Sequence, residues 1–362
     1  MIDKPKKPLR RGWTTGACAL AATKAAYTAL LTGAFPDPIG ISLPKGQSPF
    51  FPLAFEGKGK GYAQVGIVKD AGDDPDVTHG ALIVVTVREG GMGNGVSFQA
   101  GEGVGTVTLP GLPLAVGEPA INPKPREMIK EAVSLLAAQY GHSGNIVVEV
   151  SVPDGAGLAE KTWNGRLGIK GGLSILGTTG IVRPFSCSAW IHSIHRGIDV
   201  ARTNGFDHVA GATGKTSESA VQKLLELSDY ALIDMGDFAG GMLKYLRDHP
   251  VPRLTIAGGF AKLTKLGQGF LDLHSGRSQV DFDWLANGAL AIGGGDRLVK
   301  SIRNANTANH AFEIARKSGL ALGNYVALQA TETAKKVIED SEISLNVLVF
   351  DREGSMIGTS DA

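Results

Sequence analysis

The chain has 362 residues, 43% hydrophobic and 20% charged, which suits a soluble globular protein of two domains. A net charge of +1 gives no global field for nucleic acid or an anionic membrane, so any charged ligand must be met locally. Cys18 and Cys187 stand far apart, which excludes a disulfide framework or a cysteine zinc site and makes a reducing cytoplasm the expected setting.

The basic stretch Lys4 to Arg11 leads into an alanine-rich segment rather than a signal-peptide core, and no apolar run approaches a membrane span of ~20 residues. Thr14-Thr15-Gly16 opens a predicted helix from Ala17 to Leu31, with a threonine able to cap its first N–H groups and Gly33 and Pro36 closing it. Six alanines between Ala17 and Ala26 leave its surface shallow, so another backbone can pack very near. Short β-type runs follow at Ile39–Leu43, Tyr62–Val68, Ala81–Val87 and Gly105–Leu109. Pro123 and Pro125 start a helix to Tyr140, and Ile146–Val152 returns to strand. This front half reads as a two-layer α+β domain.

Two stretches of that half carry candidate chemistry. The loop from Lys69 to His79 holds Asp70, Asp73, Asp74 and Asp76, whose repulsion must be relieved by solvent, a cation or backbone donors. It fits either tight turns beside Pro75 or a catalytic, ligand-orienting or metal-binding role, with Asp73, Asp74, Asp76 and His79 as the catalytic candidates. An EF-hand is excluded, because His79 stands where the turn glycine belongs. From Asn164 to Pro184, six glycines alternate with Leu and Ile, so the segment is expected to be ordered and packed rather than a flexible linker. Arg166, Lys170 and Arg183 make it a candidate anion-recognising surface. Its Thr178-Thr179-Gly180 repeats the triplet Thr14-Thr15-Gly16, and these four threonines join the three cations as candidate substrate contacts. A plain interdomain crossover is the alternative.

Beyond Val182, where the domain boundary is placed (1–182 and 183–362), the rhythm becomes strand, glycine loop, helix. Ala189–Ala201 is helical in pattern, and strands at Phe206–Ala210, Tyr230–Asp234 and Arg253–Ala257 run into three glycine loops. Successive βα units imply a parallel sheet with right-handed crossovers and a ligand crevice at the carboxyl ends of its strands. The run Ile343–Phe350 is expected to be a late strand of the same sheet. Gly211, Thr213, Gly214, Gly236, Asp237, Gly258 and Gly259 are the candidate cofactor contacts, with Asp234 or Asp237 for ribose hydroxyls. Gly214-Lys215-Thr216 matches the end of a P-loop, but Val209 stands where its first glycine is required. With no G-x-G-x-x-G either, an adenosyl cofactor without phosphate suits these loops. His192 and His195 share a helix face with no third metal ligand nearby in sequence, and His274 is a lone loop histidine.

Together these segments resemble the cobalt-precorrin-5B C1-methyltransferase family of anaerobic cobalamin biosynthesis. The resemblance rests on Gly12–Ala19, Val68–His79, Gly111 to Pro123, Leu167 to Pro184 and Asp234–Phe238, in order along nearly the whole chain. Gly165 stands where the family has proline, and Lys170 where it has an apolar residue. The resemblance implies S-adenosylmethionine as donor, C1 of a cobalt-bound tetrapyrrole as acceptor, and a Rossmann-like back half. Cobalt then arrives inside the substrate, and no protein metal site is required. A homo-oligomer is compatible with the sequence. Two rival classes stay open: a phosphotransferase resting on Lys215 and Thr216, and a non-enzymatic tetrapyrrole carrier resting on the central cations.

Overall fold

The structure, a computed structural model, describes residues 8–339 and 341–361. The chain divides into two compact units, Met1–Ser186 and Cys187–Ala362. The first part of the basic stretch, up to Lys7, lies outside the described residues.

In the first unit, helix α1 (Thr15–Thr32) is capped by the Thr14 hydroxyl, which accepts from the Ala17 N–H, and ends on Gly33 in the left-handed conformation. It is apolar nearly all round and buried, as such a helix must be. The strands are β1 (Phe55–Gly59), β2 (Tyr62–Val68), β3 (Leu82–Glu89), β4 (Val96–Ala100) and β5 (Ile146–Ser151), separated before β5 by helix α2 (Pro123–Tyr140). They form one mixed sheet in the order β1-β2-β3-β5-β4, antiparallel except for β4 and β5. Helix α1 packs on β2 and β3 and against α2, so the buried residues of both layers share one core.

Two expected strands shrink. Ile39–Leu43 pairs over Ile39–Gly40 alone, because the Leu43 N–H turns to Gln47 O within a loop. Gly105–Leu109 pairs as a strand over Thr106–Val107 alone, with Ile169–Lys170. Sequence reading missed β1 and β4. Both are sheet edges with mostly exposed or half-exposed residues, so neither shows the apolar alternation of a half-buried strand.

The second unit opens with α3 (Cys187–Thr203), then β6 (His208–Ala212), α4 (Lys215–Leu225), β7 (Leu232–Asp234), α5 (Ala239–Asp248), β8 (Arg253–Gly259) and α6 (Phe260–Gly267). Four further helices, α7 (Phe282–Ala291), α8 (Asp296–Arg303), α9 (Ala308–Lys317) and α10 (Leu322–Val337), precede β9 (Ser344–Phe350) and β10 (Met356–Thr359). The sheet order is β7-β6-β8-β9-β10, parallel through β9 and antiparallel at β10. The chain leaves β6 for one neighbour, β7, and then crosses to the other, β8. This reversal opens a crevice between the loops that follow β6 and β8.

Candidate functional site

Strand register decides what the glycine loops of the second unit can do. Ala212 is level with Asp234 on one side and with Ala257 on the other, so β6 and β7 end at one level, β8 ends two residues beyond it, and their loops start on one edge. Backbone bonds strap these loops: Thr213 N–H to Ala257 O at 2.9 Å and Gly236 N–H to Ala212 O at 3.1 Å. Gly236 has φ +56°, which favours glycine, and a Cβ there would also lie 3.3 Å from the Trp190 ring. The indole N–H of Trp190 donates to Asp234 O at 3.1 Å. A Cβ at Gly258 would meet the Thr213 and Leu263 side chains at 2.8–2.9 Å, so that glycine serves packing.

Gly214 and Gly259 differ from these. Their φ values, 167° and −71°, are open to any residue, and a Cβ on either would meet nothing within 4 Å. Each is the N-cap of a helix, α4 or α6, that has no side-chain cap. Neither fold nor capping asks for glycine there, and the space before both backbones suits the close approach of a ligand.

Lys262, on α6, links the loops. Its ammonium donates to Thr213 O at 2.6 Å and lies 3.0 Å from Asp237 Oδ1, an ion pair outside hydrogen-bond geometry. Asp237 Oδ1 is shielded from solvent and accepts no hydrogen bond among the described residues. Beneath it Lys265 is buried, donates to Leu273 O at 2.8 Å, and is pushed down in pKa by burial against the opposing pull of Asp237.

The acidic loop of the first unit is bonded throughout. Asp70 holds the Arg10 guanidinium through both oxygens and accepts the Gly72 N–H, which brings its carboxyl down to about 2. Asp73 Oδ2 accepts the Arg10 N–H at 2.6 Å, and Asp74 Oδ1 accepts the Phe185 N–H at 2.8 Å. Asp76 pairs with Lys69, which is 1% exposed, at 2.6 Å and takes the Thr78 N–H and hydroxyl on its other oxygen. Burial alone would raise Asp76, but Lys69 and the Thr78 bonds hold it below the usual carboxylate range. His79 Nδ1 accepts the Ala71 N–H at 3.1 Å, so the neutral ring carries its proton on Nε2.

The two T-T-G triplets meet. Gly12–Trp13 pairs with Ile181–Val182, Gly16 N–H donates to Leu176 O at 2.9 Å, and Thr14 N–H donates to Gly180 O at 3.0 Å. Gly177, at φ +128°, leaves room for the Thr14 side chain, which a Cβ would strike at 2.3 Å. Thr15 Oγ1 accepts the Leu176 N–H at 2.9 Å. Thr14 and Thr15 are buried, with these hydroxyl bonds inside the fold. Thr178 is exposed and Thr179 half-buried. Lys170 and Arg183 are exposed; Arg166 is half-buried in a 3₁₀ turn, Gly165–Leu167.

His192 and His195 hold no cluster. The His195 ring stacks on Tyr245 at 3.9 Å and its Nε2 lies 3.2 Å from Gly241 O. Among the described residues there is no group of three or more His, Cys, Asp or Glu able to hold a metal. His274 closes its own turn, with Nδ1 accepting the Gly276 N–H.

Comparison with known proteins adds the family. The model described as CbiD matches residues 2–184, and that of the CbiD C-terminal domain matches residues 272–361. A relative from Brucella anthropi, named cobalt-precorrin-5B C(1)-methyltransferase, is 60% identical over 355 residues, 98% of this chain and 96% of its own. The chain belongs to the CbiD family. A second CbiD relative of the same name, from Paramagnetospirillum magneticum, is 60% identical over 353 residues, 98% of both chains. The crystal structure of a cobalamin biosynthesis protein (cbiD) from Archaeoglobus fulgidus is 26% identical, with a TM-score of 0.40 over 86% of this chain and 85% of that one.

Within this CbiD chain the acidic loop and the central stretch lie inside the matched 2–184, while the three glycine loops lie between the two matched segments. Sequence reasoning missed Lys262, Trp190 and Arg10 as parts of these sites. Lys262 reads as one polar position of an amphipathic helix, and its partner Thr213 is 49 residues away. Arg10 reads as part of a basic terminus, with Asp70 60 residues away.

Proposed function

We propose that this CbiD chain adds a methyl group to C1 of cobalt-precorrin-5B, giving cobalt-precorrin-6A in cobalamin biosynthesis, with S-adenosylmethionine as donor. The reading rests on the 60% identity over 98% of the chain to relatives of that activity. The cradle before Gly214 and Gly259 supports it, since it accepts a close ligand without a phosphate-binding fingerprint. The second unit is then a Rossmann-like donor domain, and the first, 1–182 with the four residues that follow, takes the tetrapyrrole in the cytoplasm. No helix among the described residues is long and apolar enough to cross a membrane.

The residues fit such a donor. Gly211, Thr213, Gly214, Gly236, Gly258 and Gly259 line or shape one edge, and the Asp237 carboxylate, paired with Lys262 and partly exposed, is an acceptor for a ribose hydroxyl. The donor supplies an electrophilic methyl on a sulfonium. In-line positioning by the protein contributes roughly 7–11 kcal/mol at best. Arg166, Lys170 and Arg183 meet the carboxylates around the macrocycle, with Thr178 and Thr179 of the same central stretch as further contacts. The ring carbon gains a methyl cation equivalent from the sulfonium, and the macrocycle then gives up one proton. Asp73, exposed, with Oδ1 accepting nothing among the described residues, is the acceptor. His79 has its available nitrogen occupied and orients the loop, and Asp76 belongs to the fold.

Purified protein incubated with methyl-labelled S-adenosylmethionine and a panel of cobalt and cobalt-free precorrins tests the proposal. Label entering C1 of cobalt-precorrin-5B supports it. Tetrapyrrole binding without donor affinity would indicate a carrier, and magnesium-dependent ATP binding a phosphotransferase. Single-turnover kinetics separates the roles in the first unit. Asp73→Asn is expected to slow the chemical step by ~10²–10⁴-fold at unchanged substrate affinity. Neutralising Arg166, Lys170 and Arg183 together should do the reverse, raising KM at constant donor affinity. An unchanged KM in that triple variant removes the cations from the substrate site.

A further inference from the structure

Three non-glycine residues among those described adopt positive φ: Asp154, Phe185 and Glu226. Asp154 starts a short helix and Glu226 ends one, where a left-handed residue has a local purpose. Phe185 caps neither. It is a bulky aromatic at φ +55°, in a conformation that disfavours any side chain with a Cβ, and its side chain is 67% exposed. Burial therefore returns little for the strain, and glycine would be the cheaper residue for the fold alone. The Phe185 N–H donates to Asp74 Oδ1 at 2.8 Å, a bond that holds the backbone across 111 residues. Pro75 biases Asp74 toward an extended backbone, which steadies the acceptor.

We infer that Asp74 is a positioning residue that presents Phe185 as an aromatic face to the tetrapyrrole substrate. The inference rests on the proposed function. A tetrapyrrole offers a broad, largely apolar π-face edged by carboxylates. Phe185 offers an exposed ring, and Arg183, two residues earlier in the chain, an exposed cation for such an edge. Apolar Val77, in the same acidic loop as Asp74, is exposed too. The role differs from base catalysis in what it needs from residue 74. A base needs a carboxylate, whereas holding Phe185 needs only a side-chain carbonyl oxygen at the Asp74 Oδ1 position, which asparagine also has.

The test uses the full chain and cobalt-precorrin-5B titrated without methyl donor, followed by single turnover with it. Phe185→Gly and Asp74→Ala are each expected to weaken tetrapyrrole binding by ~3–10-fold, as loss of one aromatic contact does. S-adenosylmethionine affinity should not move. The double variant should bind no more weakly than either single one, because both remove the same contact. Asp74→Asn should stay within about twofold of the native chain in binding and in chemical rate. Phe185→Gly should be at least as thermally stable as the native protein, since glycine relieves the left-handed backbone.

Additive losses, or native tetrapyrrole affinity in Phe185→Gly, would overturn the inference. So would Asp74→Asn turning over as slowly as a base-deleted enzyme at saturating substrate. A changed oligomeric state in Phe185→Gly with unaltered substrate binding would instead assign the ring to an interface between copies of the chain. Failure of the native chain to bind cobalt-precorrin-5B at all would sink the functional reading and this inference with it. Defects confined to the variants concern Phe185 and Asp74 alone.

Discussion

Alanine at Asp76 is expected to destabilise the first unit by about 3–5 kcal/mol, the usual loss when one partner of a buried ion pair is removed. The reason is Lys69. Its side chain is 1% exposed, and its ammonium is 2.6 Å from Asp76 Oδ2, so deletion of the carboxylate leaves a buried cation unpaired. Native-state hydrogen exchange of the β2 and β3 amides reads the loss where it occurs. Lys69→Met in the Asp76→Ala background should recover most of it, since no buried charge then remains. If Asp76→Ala exchanges like the native chain, the pair is not holding the loop. The pH dependence has a definite sign. The folded-state pKa of Asp76 is lowered, so its contribution is present above the unfolded value of about 3.9 and is lost as pH falls through the folded value. Asp70, brought to about 2 by Arg10, acts in the same direction, but both partners are well exposed and solvent screening leaves it a small share.

Serine at both Gly214 and Gly259 should lower S-adenosylmethionine affinity about 100-fold, or ~2.7 kcal/mol, while stability stays level or rises. Serine is a better N-cap than glycine, and both positions head helices without a side-chain cap. A Cβ at either meets no protein atom within 4 Å, so the new side chain enters only the open space where the donor is proposed to lie. Calorimetric titration with the donor, alongside thermal unfolding, separates the two effects. Undiminished affinity in the stable double variant would take the donor away from this edge. Gly236 is the contrasting position. Its φ of +56° and the nearby Trp190 ring make valine there cost stability as well as affinity, so it is the poorer probe.

Much of this was legible before any coordinates. Helix α2 runs from Pro123 to Tyr140 as read, because proline at its first turn and Gly141 after its end are local signals. Strand β2 likewise matches Tyr62–Val68. The succession of strand, glycine loop and helix announced parallel βα units, and the collinear motifs pointed to the family that the full-length relatives now support. These features depend on residues close together in the chain, where capping, turn chemistry and periodicity act.

Tertiary structure alone decided the rest. It set Ala212, Asp234 and Ala257 at one level, a matter of register between strands. It also separated Gly214 and Gly259, which face open space, from Gly258, which faces Thr213, although Gly258 and Gly259 are adjacent in sequence. The acidic loop showed only charges needing relief. Which carboxylate met Arg10 or the Phe185 amide depended on chain segments 60 and 111 residues away. A carboxylate's role follows from what its oxygens touch, and local sequence carries no record of partners that folding brings from so far.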